Sequence, residues 1–186
     1  MVEGQKTINS MQQKIILVDE NDKELGVGDK LKIHREGKLH RAFSVLIFNS
    51  KGELLLQKRA KNKYHSAGLW TNTCCSHPAP EESLEESARR RLKEEMGFVC
   101  PLERFFAFIY GIKLDNNLFE YEYDHILVGK FDGEPKPNPK EAESWKWTKI
   151  EDLERDIRLF PEIYTAWFKI LLERITLRDL ILSYES

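Results

Sequence analysis

A single helix constrains this fold more than any other segment. Between Glu82 and Met96 the apolar residues Leu84, Ala88, Leu92 and Met96 recur four apart, which sets them on one face of an α-helix. Its other faces are crowded with Glu and Arg. A helix with one apolar face must lay that face on an apolar surface. Gly97 ends it, because a residue without a Cβ takes the left-handed conformation at little cost. Strand-like runs supply the surface. Residues 15–18, 43–48, 54–59, 104–114, 118–131 and 145–150 are rich in β-branched, aromatic and aliphatic side chains. Residues 19–24, 49–52 and 115–117 are turns, and the second closes a hairpin.

Residues 133–139 hold three prolines, so neither a strand nor a helix runs through them. Residues 151–156 and 164–182 read as helical. The resulting order, three strands, a helix, three strands and a helix, predicts one α/β (α+β) domain: a mixed β-sheet with helices packed on it. The 186 residues are enough for one such core, and no repeat or linker divides them. Residues 1–14 are expected as a flexible polar tail and 15–186 as the domain.

Composition excludes several classes. The formal net charge of −2 gives no global reason to expect nucleic acid. No apolar run approaches the ~18 residues of a membrane span, and the N-terminus lacks an apolar targeting core. Cys74, Cys75 and Cys100 are an odd set, and the adjacent pair would close only a strained bridge. All three are expected as reduced thiols in a cytoplasmic protein.

The chemistry concentrates in a few places. Residues 71–77 read Thr-Asn-Thr-Cys-Cys-Ser-His and end against Pro78, which sets the thiol of Cys75 two residues from the imidazole of His77. His34 and His40 flank the entry to the strand at 43–48. Imidazole suits Mn, Fe, Co or Zn better than Mg. Each histidine alone also reads as an ordinary polar residue, and His65 and His125 have no motif beside them. In Phe119-Glu120-Tyr121-Glu122-Tyr123, strand alternation puts both carboxylates on one face. They either meet solvent or serve a cation. Lys30, Arg59, Lys63 and Arg91 are cations near these segments. Lys and Arg bind diphosphates, although each also reads as a surface charge.

The helix offers two readings as well. Glu82, Glu86 and Arg90 are four apart, as in a salt-bridged helix face. Arg90, Glu94, Glu95, Gly97 and Phe98 also resemble the Nudix box, with Glu82 at its earlier glutamate. Ser76 stands where that box has its first glycine, and Arg91 where it has a glutamate after Arg90. The second change argues against plain Nudix hydrolysis.

Taken in order, these segments resemble type 1 isopentenyl-diphosphate isomerase, a Nudix-fold family. Lys30 with His34, residues 40–44, Arg59-Ala60 with Lys63, residues 70–78, the altered box, Glu120-Tyr121-Glu122 and Trp167-Phe168-Lys169 carry the likeness over about residues 15–172. The resemblance implies a Nudix-like mixed sheet sandwiched by helices. It also implies interconversion of isopentenyl and dimethylallyl diphosphate through a tertiary carbocation-like state. By it, His34, His40, His77, Glu120 and Glu122 form a metal site suited to Mn²⁺ or Zn²⁺. Glu95 serves Mg²⁺ on the substrate diphosphate. Cys75 and Glu122 are the acid/base pair, with Tyr110 hydrogen-bonded to Glu122 and Trp167 as an aromatic wall. Lys30, Arg59, Lys63 and Arg91 hold the diphosphate. Cys75 and Cys74 would face opposite ways on a strand, and the motif selects Cys75. The expected partner is a small diphosphate, with no nucleic acid or membrane, in a monomer or weak homodimer. The alternative activity is a Nudix pyrophosphohydrolase acting on a nucleoside diphosphate derivative.

Overall fold

The structure is a computed structural model that describes residues 13–63, 65–114 and 117–175. Its elements in order are β1 (Lys14–Val18), β2 (Glu24–Asp29), α1 (Lys30–Glu36), β3 (His40–Phe48), β4 (Leu54–Arg59), β5 (Trp70–Thr71), β6 (Cys74–Ser76), α2 (Leu84–Met96), β7 (Glu103–Lys113), β8 (Phe119–Lys130), β9 (Ala142–Thr148), α3 (Ile150–Leu159) and α4 (Ala166–Arg174). All nine strands join one mixed sheet.

β3 is its hub. It runs parallel to β8 from His40↔Glu122 to Phe48↔Lys130 and antiparallel to β6 from Phe43↔Ser76 to Val45↔Cys74. β8 continues antiparallel to β7, and β4 to β9. Strand alternation then divides the core in two. Phe43, Val45, Ile47, Leu55 and Leu127 pack with Leu84, Ala88, Leu92 and Met96 of α2. Leu46, Phe48, Leu54, Leu56, Ile126 and Val128 face the other way, toward Leu153 of α3 and Trp167, Phe168 and Leu171 of α4. The sheet is therefore sandwiched by helices, as the α/β (α+β) reading required.

α2 keeps its expected apolar face but starts at Leu84. Ser83 caps it: its Oγ accepts from the Glu86 N–H, and the Glu86 carboxylate accepts from the Ser83 N–H. Glu86 is thereby taken from the expected pair with Arg90. Arg90 instead forks onto Glu82 at 2.8 Å through both Nε and Nη2. Gly97 takes φ 80°, and a Cβ there would fall 2.3 Å from the Lys136 carbonyl oxygen, so the chain passes only without a side chain.

Other boundaries moved. Lys14 already belongs to β1, so the expected tail is shorter than 1–14. Residues 1–12 lie outside the described residues, as do Asp115 and Asn116 of the expected turn. β2, β5, β6 and α1 were not foreseen. β9 begins three residues earlier than expected and ends two earlier, because Ile150 buries itself as the first residue of α3. The last helix begins at Ala166, not Tyr164, because Trp70 O accepts the Thr165 N–H and Tyr164 bridges to Trp70. The remainder of that expected helix, from 176, lies outside the described residues.

Candidate active site

The interior face of β8 carries Glu120, Glu122 and Asp124 in alternation, all buried. Parallel pairing sets His40 beside Glu122, and antiparallel pairing sets Tyr110 opposite it. α1 delivers His34. It is a seven-residue helix capped at one end by Asp29, whose Oδ1 accepts from Lys32 N–H, and closed at the other by left-handed Gly37. The register of β6 gives Cys75 to the face shared with Ser44 and Cys74 to the face shared with Val45. His77, two residues past Cys75, joins the first face. Cys74 is fully buried in the α2 core, and all three cysteines are unbridged.

One ligand atom from each of His34, His40, His77, Glu120 and Glu122 lies within 4.8 Å of the others. Backbone carbonyls fix two of the rings. His34 Nδ1 sits 2.7 Å from Lys30 O, and His40 Nδ1 sits 2.8 Å from Lys38 O. Each ring thus aims its Nε2 inward at a carboxylate, His34 at Glu120 Oε2 (3.1 Å) and His40 at Glu122 Oε1 (3.6 Å), and neither contact has the geometry of a full hydrogen bond. Buried nitrogens and carboxylate oxygens that converge without well-formed hydrogen bonds are a costly arrangement for a packed core, and they suit a divalent cation. The group is therefore capable of holding a metal.

Charge is strongly redistributed here. Burial alone would raise the Glu122 carboxyl, but the His40 ring 3.6 Å away and the Tyr110 hydroxyl, which donates at 2.6 Å, hold it down at about 2. Burial, reinforced by Glu122, keeps the Tyr110 phenol protonated well past its ordinary range. His77 is pushed well below its usual value by burial and by the charge of Lys30, although its Nε2 lies 3.0 Å from Glu122. Burial also depresses His34, yet Glu120 at 3.1 Å more than offsets it and raises the ring.

Cys75 is half-buried, and burial followed by the Asp124 charge pushes its thiol up to about 12. Its Sγ lies 2.8 Å from Asn72 Oδ1, which accepts its proton, and 3.6 Å from Ser44 Oγ. The Ser44 hydroxyl donates to Asp124 at 2.9 Å. Asp124 and Asn72 were missed from sequence. One more step of the Glu120/Glu122 alternation would have found Asp124.

The expected cations are spread around this core. Half-buried Lys30 is lowered to about 8 by burial, and it feels Glu120 and Glu122 as well as Arg91 and Lys63. The Arg59 guanidinium lies 5.1 Å from the Trp167 ring centroid, and the ring of His65 meets the same indole edge-on at 5.6 Å. His65 had no motif to mark it, yet its Nε2 stands 3.8 Å from Glu120. His125 lies apart, 3.0 Å from Asp22. Glu95 sits away from the histidines, on α2, where Arg91 Nη2 donates to it at 2.7 Å and Gln57 Nε2 at 2.9 Å.

Comparison with known proteins gives this geometry a lineage. The NUDIX domain family matches residues 38–168. Isopentenyl-diphosphate Delta-isomerase 1 of Aromatoleum aromaticum is 53% identical over 165 residues, covering 89% of this chain and 93% of that protein. Isopentenyl-diphosphate Delta-isomerase 2 of Photorhabdus laumondii is 51% identical over 91% of this chain and 96% of that protein. The chain belongs to the type 1 isopentenyl-diphosphate isomerase family. Among solved structures, DR0079 from Deinococcus radiodurans aligns with a TM-score of 0.73 over 87% of this chain and 98% of that one; at 19% identity it attests the fold alone. Membership of the isomerase family explains why the Nudix box is altered. Arg91, at the position of a box glutamate, is bound to Glu94 and Glu95, which leaves the box with a cation in place of a ligand. No helix among the described residues is long and apolar enough to cross a membrane.

Proposed function

We propose that this protein interconverts isopentenyl and dimethylallyl diphosphate in isoprenoid biosynthesis, in the cytoplasm, with Cys75 and Glu122 acting on opposite faces of the alkene. Family membership supports the reaction. One observation supports the residue roles: Glu122 joins the histidine cluster to Tyr110, on the same sheet face as the thiol.

The reaction adds a proton to the terminal alkene carbon and removes one from C2, so the double bond moves and net charge is conserved. It needs one acid and one base at rest. A thiol that burial keeps protonated and a carboxylate that His40 and Tyr110 keep ionised meet that need. Cys75 gives its proton, and Glu122 takes the one from C2. The site then resets through solvent. Tyr110 holds the Glu122 carboxylate in place throughout. Trp167 shields the tertiary cation, to which an aromatic face contributes roughly 2 kcal/mol when desolvated. Lys30, Arg59, Lys63 and Arg91 anchor the diphosphate, so that remote binding energy orients the reacting end. Held by His34, His40, His77, Glu120 and Glu122, an Mn²⁺ or Zn²⁺ ion would supply positive charge beside the Glu122 carboxylate, and Glu95 would meet an Mg²⁺ ion carried by the diphosphate.

The test is turnover by the metal-loaded protein and by a Cys75→Ala variant. The wild type is expected to convert isopentenyl diphosphate, and the variant to bind it without turnover. Unchanged turnover in the variant overturns the role of the thiol.

A further inference from the structure

Glu141 is a carboxylate that the reaction above does not use, yet it sits against two of the four cations assigned to the diphosphate. Its Oε2 forms a close ion pair with Lys63 Nζ, and its Oε1 lies 3.4 Å from Arg91 Nη2. The three side chains are only 23%, 19% and 20% exposed for Lys63, Arg91 and Glu141, so solvent screens them weakly. Burial pushes the Glu141 carboxyl up, and Lys63 and Arg91 outweigh it and bring it down.

Backbone hydrogen bonds fix this carboxylate in place. The three-proline segment that follows β8 folds back onto the end of α2, where Lys136 N–H donates to Met96 O and Asn138 N–H to Glu95 O, each at 2.9 Å. Glu141 N–H then donates to Asn138 O at 2.8 Å, and Glu141 O accepts from Ala60 N–H at 3.0 Å. Lys63 N–H donates to the carbonyl of that same Ala60 at 3.2 Å. One short stretch thus ties the helix of Arg91 to the loop of Lys63 and places its carboxylate between their charges.

We propose that Glu141 is an internal counter-anion that holds Lys63 and Arg91 together while the diphosphate is absent and releases them when it binds. The proposal rests on the assignment of Lys63 and Arg91 to the diphosphate. Two convergent cations repel each other; Glu94 and Glu95 already pair with Arg91, and Glu141 is the carboxylate that reaches both Arg91 and Lys63 and so offsets the repulsion between them. The same carboxylate opposes an incoming anion, which must displace it and then remain beside it. Glu141 therefore limits how tightly a diphosphate is held, which favours release of a product carrying the same group as the substrate.

The test uses inorganic pyrophosphate as a competitive inhibitor of the metal-loaded enzyme, with Glu141→Gln keeping the shape and removing the charge. Its inhibition constant is expected to fall about fivefold, in the range of a partly buried charge interaction. KM for isopentenyl diphosphate should fall in parallel while kcat does not rise, a split that mere loss of packing would not produce. The rise in melting temperature caused by pyrophosphate gives a second reading of affinity should turnover be lost. Lys63→Ala and Arg91→Ala separate the two ideas. If both weaken pyrophosphate while Glu141→Gln leaves it unchanged or weaker, the counter-anion role is wrong and the cation assignment stands. If neither weakens it, the assignment fails and the proposal falls with it.

Discussion

Replacing Tyr110 with Phe removes one oxygen from the centre of the site. That oxygen donates to Glu122 Oε2 at 2.6 Å, inside a residue that is 6% exposed. Glu122 keeps His77 at 3.0 Å and His40 at 3.6 Å on its other oxygen, so the ligand cluster keeps its contacts while Oε2 loses this donor. A hydrogen bond to a charged group contributes about 1.5–3 kcal/mol. If that stabilisation holds Glu122 in its working position, kcat falls roughly 10- to 150-fold. KM should change little, because Tyr110 is not among the residues proposed to anchor the diphosphate. The assay is conversion of isopentenyl diphosphate under saturating substrate, with metal content and melting temperature measured on the same sample. A variant that keeps its metal and its fold and turns over within twofold of wild type refutes the role given to Tyr110.

Further outcomes are expected. In the metal-free protein the folded values of His65 (about 3) and His77 lie below that of the unfolded chain, so the stability they contribute is present above about pH 6.5 and lost as pH falls. Each such histidine costs about 1.4 kcal/mol at pH 5.5, and raised His34 offsets part of this. Melting in chelator should therefore drop by roughly 3–10 °C between pH 7.5 and 5.5, and a rise would contradict the burial account. With its thiol pushed up to about 12, Cys75 should react with iodoacetamide at pH 8 at least about 100-fold more slowly than a free cysteine, followed by mass spectrometry of its peptide. Gly97→Ala forces a Cβ to 2.3 Å from Lys136 O at φ +80° and should cost more than about 1 kcal/mol in urea unfolding.

Segments with a strong period were legible from sequence. α2 declared itself through four-residue spacing, and β3, β4, β7 and β8 through alternation and apolar runs. The candidate ligand set was legible only through order along the chain, since no local pattern joins its members; the parallel pairing of β3 with β8 sets His40 beside Glu122, and α1 brings His34 to Glu120. β2 was missed because Gly26 and Gly28 weaken its strand character and none of its residues is buried. α1 is too short for a periodic signal, although Asp29 before it and Gly37 after it are its cap residues. Asp124 continues the Glu120/Glu122 alternation and could have been read from it, whereas His65 carries no motif and only the fold marks it. Glu141 follows a proline-rich loop that reads as mere connection, and its importance depends on where that loop docks.

In the proposed mechanism two groups exchange protons with the alkene from opposite faces and reset through solvent. Turnover of isopentenyl diphosphate by the metal-loaded protein in D₂O, followed by NMR, tests it directly. The expected product is dimethylallyl diphosphate carrying deuterium on the methyl carbon that was the alkene terminus. Product without solvent deuterium, or release of phosphate in place of isomerisation, would contradict it.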